Sequence, residues 1–485
     1  MTLTWIAHGH EFADEYDVIV VGAGPAGVCA ATELSQAGAR VLVLDENPAP
    51  GGQIYRGITR CRLAGTDHLG KAYWAGKPLY EAFLACTLAY APGARVWSLD
   101  AAAHTHGELR ARVGVSMAGV ARHLRARTVV VAAGAYERPM PIPGWTLPGV
   151  MTAGAAQVAL KAADLVPGGT VVLAGSGPLL YQLAVQLLDA GARIEALLDT
   201  RAPSHTAWRH LPGFLCSPYA LKGLAMVARV RAHTRVVTGA QALEVLGSDA
   251  AQRIRFRSDK GLETLETDLV LLHQGLIPET ALANSAGCAM QWHEPSRTFQ
   301  PVLDHQWRSS LADIFIVGDG ASVGGAVAAA EAGRAVALGV AQALQLPVGK
   351  PQQRRWRQAA RRHRQALRGR AFLDALFLPA NEFLAPVGEQ TVVCRCEEVT
   401  VATVRAAARL GVVGPNQLKT FTRCGMGPCQ GRQCAATVVE LLAEEQCLSP
   451  AALGPYRLRA PVKPLSLAEI AAMAVGGSSD QTTGT

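Results

Sequence analysis

The sequence predicts an α/β protein with two strand–turn–helix units, followed by a small helical domain that is rich in cysteine. Three observations support this order of domains. A Gly-x-Gly-x-x-Gly turn begins at Gly22, a second glycine turn begins at Gly175, and five of the eleven cysteines fall from Cys394 to Cys434. A chain of 485 residues is too long for one hydrophobic core, so several domains are expected.

The composition narrows the class of protein before any motif is considered. Hydrophobic residues make up 49% and charged residues 17% of the chain, which is typical of a globular protein. The sequence predicts neither a secretory signal nor a transmembrane segment, because it lacks a basic start with an apolar core and any apolar run of about 18 residues. An odd number of cysteines does not suggest a disulfide framework. We therefore expect a cytoplasmic location, which leaves room for peripheral attachment to a membrane.

The first unit has the complete pattern of a dinucleotide-binding fold. The apolar run at 17–21 predicts a buried parallel strand, and the next strand, at 40–44, ends at Asp45. Between them, Gly22 allows the tight turn, Gly24 lets a pyrophosphate approach the backbone, and Gly27 lets the helix pack on the strand. A carboxylate at Asp45 can accept a hydrogen bond from a ribose hydroxyl.

Three further segments favour FAD over NAD: 50–56 with its Gly-Gly-Gln, the strand 128–134, and the strand 313–319 that ends in Gly-Asp. In this order they resemble the two-dinucleotide-domain flavoprotein family that includes thioredoxin and glutathione reductases. That resemblance covers about residues 15–345 and implies that the late Gly-Asp carboxylate meets the ribityl or phosphate part of the flavin. The predicted cofactor-binding residues are Gly22, Gly24, Pro25, Ala26, Gly27, Asp45, Glu46, Gly52, Gln53, Arg56, Ala133, Gly134, Gly318 and Asp319.

The second unit repeats the pattern with one departure. A strand at 170–174 enters Gly175-Ser-Gly177, and the strand at 193–198 ends at Asp199. Leu180 stands where the third glycine is expected, and a leucine there would hold the helix away from the strand. Two interpretations of this unit remain open. It is either a second nucleotide site or an inherited fold whose cleft binds another ligand or none.

A basic segment follows the second unit. Residues 354–370 hold eight arginines and predict one basic helix. No nucleic-acid-binding motif accompanies them, and Trp356 is the only aromatic residue among them apart from the imidazole of His363. We therefore expect a solvated or subunit-facing helix and no nucleic-acid partner.

The clustered cysteines are typical of a soft metal centre. Cys394 and Cys396 form a Cys-x-Cys pair, and Cys424, Cys429 and Cys434 follow in a glycine-rich segment. A 2Fe–2S cluster takes four thiolates, so the second pair is either Cys424 with Cys429 or Cys429 with Cys434. Structural zinc sites favour Cys-x₂₋₄-Cys spacing, which Cys-x-Cys fits poorly.

The two cysteine segments resemble the 2Fe–2S domain of the bacterioferritin-associated ferredoxin type. In proteins of that type the position that matches Cys424 need not be cysteine. The resemblance therefore implies Cys394, Cys396, Cys429 and Cys434 as the iron ligands, with Cys424 as a neighbouring thiol.

The whole chain, over about residues 15–470, resembles one family of FAD- and 2Fe–2S-containing proteins. The resemblance is carried by Gly51-Gly-Gln-Ile-Tyr-Arg56, Ala133-Gly-Ala-Tyr-Glu-Arg-Pro139, Gly175-Ser-Gly-Pro-Leu-Leu180 and the cysteine domain. That family contains the A subunit of opine oxidases, the B subunit of hydrogen cyanide synthase and the α subunits of dye-linked proline and hydroxyproline dehydrogenases.

This resemblance implies a role in a hetero-oligomeric oxidoreductase that acts on CH–NH or CH–NH₂ donors, such as opines, proline or hydroxyproline. A D-amino-acid-oxidase-like β subunit would oxidise the substrate, and this chain would relay the electrons to an external acceptor. The resemblance implies FAD and a 2Fe–2S cluster here. It allows for an FMN at the interface with the β subunit and for a small ferredoxin-like 2Fe–2S subunit.

The residues themselves favour a relay over a catalytic subunit. The central domain has no Cys-x-x-Cys, which argues against disulfide reduction, and no acid–base catalyst is predicted. His273 fits a buried histidine better than a catalytic base. Two alternatives remain: an NAD(P)H-dependent flavoprotein reductase and a structural subunit that holds the catalytic partner.

The full prediction is a glutathione/thioredoxin reductase-like α/β flavoprotein with a C-terminal 2Fe–2S domain. The FAD-binding domain is expected at 14–150 and 285–345, and a second Rossmann-like domain at 151–284. A basic helical linker at 346–388, the 2Fe–2S domain at 389–450 and a tail at 451–485 follow.

Overall fold

Two mainly parallel sheets and a small helical domain make up the part of the chain that the computed structural model describes. The described residues are 3–59, 67–101, 111–202, 204–217 and 219–476. The end of the predicted tail, 477–485, lies outside them, as do 60–66 and 102–110 of the predicted FAD-binding domain.

The larger sheet is built around the first apolar run. The strand Glu15–Val21 pairs in parallel with Val41–Asp45 on one side and with Val120–Val131 on the other. Late in the chain, Ile314–Ile316 returns to pair with the end of Val120–Val131. The segment between these two strands forms the second sheet, so the first sheet is assembled from two separate stretches of sequence. Its remaining strands are Thr4–Trp5, Ala89–Pro92, Arg95–Asp100 and Ala111–Met117.

Two helices rich in small residues cover one face of this sheet. Pro25–Gln36 and Ala326–Ala343 pack so closely that a Cβ on Gly333 would lie 2.1 Å from the backbone oxygen of Ala26. Burial on both faces explains the continuous apolar strand, in which Val18, Ile19 and Val20 are fully buried. The sheet thus brings the carboxyl ends of its strands and the starts of both helices to one edge.

The second sheet has five parallel strands. Their order is Arg235–Thr238, Ile194–Asp199, Val171–Ser176, Leu269–Gln274 and Val150–Thr152. Helices Ala153–Ala163, Pro178–Asp189 and Tyr219–His233 accompany it, with an antiparallel sheet of Gln241–Leu246, Arg253–Ser258 and Gly261–Glu266. The connecting strands Ala135–Glu137 and Leu276–Pro278 pair with one another where the chain leaves and re-enters the first sheet.

The basic segment is not one continuous helix, and the prediction of a single helix through Arg370 is wrong. One helix, Lys350–Ala366, ends before Gly369, whose φ of 81° lies in the left-handed region, and a second helix, Arg370–Leu376, follows. One face of the first helix is also packed on the protein. Its Trp356 is buried, and the indole Nε1 donates a 2.7 Å hydrogen bond to Glu33.

The cysteine domain has a hydrophobic core of its own, which includes Val404, Leu418, Val438 and Leu442. Three helices surround it: Val401–Arg409, Pro415–Thr422 and Ala435–Gln446. A hairpin of Val392–Cys394 and Val399–Thr400 and a short helix, Pro450–Leu453, complete the domain. The strands Met290–His293 and Thr298–Pro301 form a further hairpin. The other short helices are Gly9–Glu11, Asp67–Leu69, Lys71–Trp74, Lys77–Leu84, Ala207–His210, Leu211–Leu215, Ala281–Ser285, Glu294–Ser296, Gly318–Gly320, Asn381–Leu384 and Leu467–Gly476. No single described helix is long and apolar enough to cross a bilayer.

Candidate functional site

The first glycine turn makes the close contacts that a nucleotide-binding turn requires. Gly22 has a φ of 102°, and a Cβ there would lie 2.5 Å from the backbone oxygen of Ala132. A Cβ on Gly27 would lie 1.8 Å from the backbone oxygen of Gly22. In contrast, the outer side of Gly24 is open, since nothing approaches its ideal Cβ position closer than Gly52 at 3.8 Å. The turn is therefore tight inside and accessible outside, at the start of a helix whose first N–H groups can bind an anion.

Asp45 presents an unsatisfied acceptor beside this turn. Its Oδ1 accepts hydrogen bonds from the backbone N–H and the Nδ2 of Asn47, at 3.1 and 2.9 Å. Its Oδ2 is buried and has no hydrogen-bond partner among the described residues. Burial raises the pKa of this carboxyl to about 6. A ribose hydroxyl would supply the missing donor, so the chemistry of Asp45 fits the adenosine part of FAD.

Glu46, the next residue, is in a different environment. Its side chain is 49% exposed and accepts a 2.6 Å hydrogen bond from Lys463 Nζ. The predicted acidic pair therefore separates into one buried carboxylate with a free acceptor and one exposed carboxylate that pairs with the C-terminal tail.

Replacing Asp45 with Asn is expected to weaken FAD binding by roughly 10- to 100-fold, because a hydrogen bond to a charged acceptor contributes about 1.5–3 kcal/mol. The Asn side chain keeps one oxygen that can accept from Asn47, but it has no second oxygen to accept from the ribose. Quenching of flavin fluorescence during titration of the apoprotein measures the affinity. Glu46→Gln is the matched control and should bind FAD within about threefold of the parent, as expected for an exposed ion pair. Equal losses in the two variants would contradict the assignment.

The same substitution is expected to change how the stability of the apoprotein depends on pH. The pKa of Asp45 is raised in the folded chain, so the folded state holds this proton more tightly than the unfolded state. The parent should therefore lose stability as pH rises from about 4 to about 6. Thermal melts of apo Asp45→Asn should lack that loss.

Gln53 and Arg56 are connected to Asp45 through Asn47. The Nη1 of Arg56 donates to Asn47 Oδ1, and its Nη2 donates to Gln53 Oε1 at 2.8 Å. The buried Nε of Arg56 has no partner among the described residues. The cluster thus holds one free buried donor and one free buried acceptor, which suits a ligand with both phosphate and hydroxyl groups.

The remaining predicted segments converge on the same edge of the sheet. An ideal Cβ on Gly318 would lie 2.7 Å from the Cβ of Ala26, and one on Gly320 would lie 3.4 Å from the backbone nitrogen of Gly134, which follows Ala133. The space outside Gly134 is open, with nothing within 4 Å of its ideal Cβ position. Asp319 acts on the backbone, since its Oδ1 accepts from the N–H groups of the two glycines at 324 and 325, at 2.9 and 3.1 Å. It therefore shapes the loop that begins helix Ala326–Ala343.

Three of the five clustered cysteines form one group in the folded domain, and the other two interact with one another. The sulfur atoms of Cys394, Cys424 and Cys434 are buried and lie within 4.8 Å of one another. Cys396 is exposed and Cys429 is half-buried, and the Cys429 side chain influences the pKa of Cys396. No histidine or carboxylate joins the three-sulfur group in the described part of the chain. This all-sulfur donor set fits an iron–sulfur cluster.

The buried thiols stabilise negative charge at one position. Hydrogen bonds from the Cys424 and Cys434 thiols, with weaker ones from the backbone N–H groups of Gly425 and Glu397, lower the pKa of Cys394 to about 2. The hydrogen bond to Cys394 in turn raises the pKa of Cys424 to about 12 and that of Cys434 well above its usual value. Metal binding would displace the protons that these thiols hold.

An ion pair that the sequence did not predict joins the two predicted sites. Glu279 donates its backbone N–H to the oxygen of Gly134 at 2.9 Å, and its Oε2 accepts from Arg432 Nε at 2.9 Å. Arg432 also donates to the backbone oxygens of Cys429 and Val462, at 3.2 and 2.9 Å. Because Glu279 and Arg432 are 153 residues apart in sequence, no local signal could have paired them.

His273 is buried and lies against the second glycine turn. Its Nδ1 lies 2.6 Å from Glu137 Oε1, and Glu137 Oε2 accepts from the backbone N–H of Gly154 at 2.7 Å. A Cβ on Gly177 would lie 2.7 Å from His273 Nε2. His273 therefore has a structural role, since it links a connecting strand to the start of helix Ala153–Ala163.

Comparison with known proteins agrees with this arrangement. Residues 16–339 match the pyridine nucleotide-disulphide oxidoreductase family, and residues 388–474 match the sarcosine oxidase A3 domain. The chain is 53% identical over 474 residues to the A subunit of opine oxidase from Agrobacterium tumefaciens (strain Ach5), covering 97% of this chain and 94% of that protein. It is 28% identical over 460 residues to the hydrogen cyanide synthase subunit HcnB of Pseudomonas protegens, covering 92% and 96% of the two chains.

A solved structure shares the overall fold. The crystal structure of L-proline dehydrogenase from P. horikoshii aligns with 97% of this chain and 80% of its own, with a TM-score of 0.67 and 16% sequence identity. These matches confirm the predicted α/β fold class, the resemblance on which it was based, and an oxidoreductase of the flavoprotein type.

Proposed function

We propose, because this chain belongs to the same family of pyridine nucleotide-disulphide oxidoreductases as the opine oxidase A subunit, that it is the electron-transfer subunit of a hetero-oligomeric amine dehydrogenase. Its substrate would be an opine, proline, hydroxyproline or a similar secondary amine, oxidised in a D-amino-acid-oxidase-like partner subunit. One observation supports this most strongly. The same chain contains a nucleotide site and an all-sulfur group, and Glu279 and Arg432 connect the two.

Several of the predicted site residues have a role in this proposal. The glycine turn from Gly22 to Gly27 would bind the FAD pyrophosphate, Asp45 would accept from its ribose, and Arg56 would donate from its buried Nε. Gly134 and Asp319 would border the flavin, Gly134 through its open backbone and Asp319 through the loop that it holds. A bound flavin exchanges two electrons singly and a 2Fe–2S cluster takes one at a time, which is the chemistry that a relay requires.

The proposed iron ligands are Cys394, Cys396, Cys429 and Cys434. Two of them are in the buried three-sulfur group, and the other two are the Cys396–Cys429 pair. Arg432 holds the loop that carries Cys429 by donating to its backbone oxygen. The Glu279–Arg432 ion pair therefore connects this loop to Gly134 without any metal.

A relay needs neither a redox disulfide nor a catalytic base. The start of helix Ala153–Ala163 has the sequence Ala-Gly-Ala-Ala, and the central sequence contains no Cys-x-x-Cys. His273 is committed to Glu137 and is buried. Because we assign no base among the described residues, we propose that the partner oxidises the carbon–nitrogen bond.

Replacing Cys396 with Ser in the complete complex tests the relay. Cys396 is exposed, so the substitution leaves the core of the domain intact. Turnover from amine to dye should fall at least about 100-fold if electrons must pass through the cluster, since the alternative route lacks a positioned acceptor. Substrate reduction of the partner's flavin should persist. Cys447→Ser, at another exposed free cysteine, is the control and should keep full turnover. Undiminished turnover in Cys396→Ser would replace the relay with a purely structural role.

The second parallel sheet supports one alternative, an NAD(P)H-dependent reductase. Its glycine turn has positive φ angles, 141° at Gly175 and 144° at Gly177, and leads into helix Pro178–Asp189, as a nucleotide-binding turn does. Anaerobic addition of NADH to the isolated chain distinguishes the two functions. Rapid bleaching of the flavin band would favour the reductase, and an unchanged band supports the relay. Copurification with mass and absorbance spectra then identifies the partner proteins, including any FMN-binding interface or ferredoxin-like subunit.

A further inference from the structure

We propose that the hydroxyl of Tyr456 donates a hydrogen bond to a sulfur atom of the cluster site and thereby raises the reduction potential of that site. Tyr456 would be a positioning residue, since it binds no iron itself. This inference rests on the proposed function and adds to the site a side chain from outside the two cysteine segments.

Tyr456 lies in the core of the cysteine domain. It follows residue 450, where the 2Fe–2S domain is predicted to end. In the folded chain its side chain is 3% exposed and belongs to the same hydrophobic core as Cys394, Cys424 and Cys434. The start of the C-terminal tail therefore brings a phenol ring to the three-sulfur group.

Two glycines leave the space that this ring fills. An ideal Cβ on Gly425 would lie 3.0 Å from the Cε1 and Cζ atoms of Tyr456 and 3.3 Å from its Oη. An ideal Cβ on Gly431 would lie 3.6 Å from Cδ2 of the same ring. Gly425 directly follows Cys424, and Gly431 shortly precedes Cys434. The ring thus packs against the loop that carries these cysteines, and its hydroxyl is on the side of Gly425.

The hydroxyl of Tyr456 is a buried donor without an acceptor. Its Oη has no hydrogen-bond partner among the described residues. Such a donor is unfavourable in a protein interior unless something else supplies the acceptor.

The sulfur atoms of the cluster site can supply that acceptor. Cys394 raises the pKa of Cys424 to about 12, and the Tyr456 hydroxyl acts in the opposite direction, as a donor beside a sulfur does. A neutral thiol accepts hydrogen bonds only weakly, whereas a sulfur bound to iron carries negative charge and accepts more strongly. The orphaned hydroxyl therefore fits a site whose sulfurs are bound to metal.

One side chain holds the backbone on both sides of Tyr456. Asn416 donates from Nδ2 to the backbone oxygen of Pro455 at 3.0 Å, and its Oδ1 accepts from the backbone N–H of Arg457 at 2.7 Å. From the same helix, Lys419 donates to the backbone oxygen of Arg457 at 3.1 Å. Its Nζ also lies 4.8 Å from the centre of the Tyr456 ring, as in a cation–π contact. These contacts hold the phenol beside the sulfurs, as residues that surround a metal site commonly do for its ligands.

The direction of the effect on the potential follows from charge. A donor beside the sulfurs stabilises the form of the site that carries more negative charge, which is the reduced form. The interaction is strong at this position, because the hydroxyl is buried and water does not compete for it. Tyr456 would therefore raise the reduction potential.

Replacing Tyr456 with Phe tests this inference, because the change removes the hydroxyl and keeps the ring. The full chain is used together with every protein that copurifies, and the paramagnetic resonance signal of the reduced cluster is followed in a potentiometric titration. We expect the reduction equilibrium to become about tenfold less favourable, which lowers the midpoint potential by about 59 mV for one electron. Electron–nuclear double resonance should detect an exchangeable proton near the reduced cluster of the parent that Tyr456→Phe lacks.

A fluorotyrosine at position 456, with the fluorine next to the hydroxyl, should give a shift of opposite sign. The fluorine makes the phenol a stronger donor at nearly the same volume, so the midpoint potential should rise above that of the parent. A ring that only fills space would not produce two shifts of opposite sign.

Tyr80→Phe is the matched control. Tyr80 is 1% exposed, and its hydroxyl is also buried without a partner among the described residues. It belongs to a different hydrophobic core, which contains none of the five clustered cysteines. Its cluster should keep the midpoint potential of the parent.

The possible results separate this inference from the proposed function. An unchanged midpoint potential in Tyr456→Phe, or equal shifts in Tyr456→Phe and Tyr80→Phe, would overturn the inference and leave the proposed cluster in place. If Tyr456→Phe holds no iron, the fluorotyrosine decides, since a rise supports the inference and an unchanged potential overturns it. A parent chain without iron and acid-labile sulfide would overturn the proposed cluster and the inference with it.

Discussion

Replacing Cys394 with Ser is expected to abolish the proposed 2Fe–2S cluster, with loss of its visible absorbance and of the paramagnetic resonance signal of the reduced protein. Cys394 is a buried member of the three-sulfur group, and its neighbours Cys424 and Cys434 lower its pKa. A serine hydroxyl at this buried position has a far higher pKa and binds iron weakly. Iron and acid-labile sulfide per chain should fall to near zero.

The five thiols allow the ligand set to be tested one residue at a time. We expect Cys434→Ser to behave like Cys394→Ser, and Cys424→Ser to retain the cluster with a shifted spectrum, because its thiol neighbours the ligands. Cys447→Ser, exposed and remote from the group, should be indistinguishable from the parent. Loss of iron from Cys424→Ser with retention in Cys429→Ser would show that the ligand set is wrong.

Replacing Gly27 with Ala is expected to release the flavin and to destabilise the protein by about 1–3 kcal/mol or more, as overpacking of a closed site does. The added methyl group would lie 1.8 Å from the backbone oxygen of Gly22. That oxygen belongs to the turn itself, so no side-chain rotation can relieve the contact and the helix must move away from the strand. The FAD content of the purified protein and its thermal midpoint measure the two effects.

Gly168 offers a control for this change. It has no neighbour within 4 Å of its ideal Cβ position and lies outside both glycine turns. Gly168→Ala should keep its flavin and its thermal midpoint. A flavin-replete Gly27→Ala would mean that the helix does not need this close approach.

Much of the nucleotide-binding half follows from the sequence because its signals are local. The strand, the glycine spacing and the acid at Asp45 are encoded within about thirty residues, and each glycine has one steric reason to be there. The distinction between Asp45 and Glu46 was not available from sequence, since it depends on Lys463 approaching from the far end of the chain. Burial thus distinguishes two neighbouring carboxylates of the same chemistry, since Asp45 is buried and Glu46 is exposed.

The prediction of one basic helix was wrong because the spacing of charged residues does not indicate where a helix ends. The arginine spacing continues to Arg368, but Gly369 adopts a left-handed conformation and starts a new helix. Similarly, the spacing of the cysteines could not show that Cys424 lies with Cys394 and Cys434, because that contact depends on how the hairpin and the helices pack. Long-range contacts of this kind are what local patterns omit.

The cysteine domain has a mechanical consequence for the two connecting strands Ala135–Glu137 and Leu276–Pro278. A pair of crossing strands between two sheets is a natural hinge. Here the cysteine domain is attached on both sides of the hinge. Trp145 donates to the backbone oxygen of Val392 at 2.8 Å, and Asn284 accepts from the backbone N–H of Leu458 at 2.9 Å. Rotation about the hinge would have to break both hydrogen bonds, so they oppose a change in the distance between the nucleotide site and the thiol group.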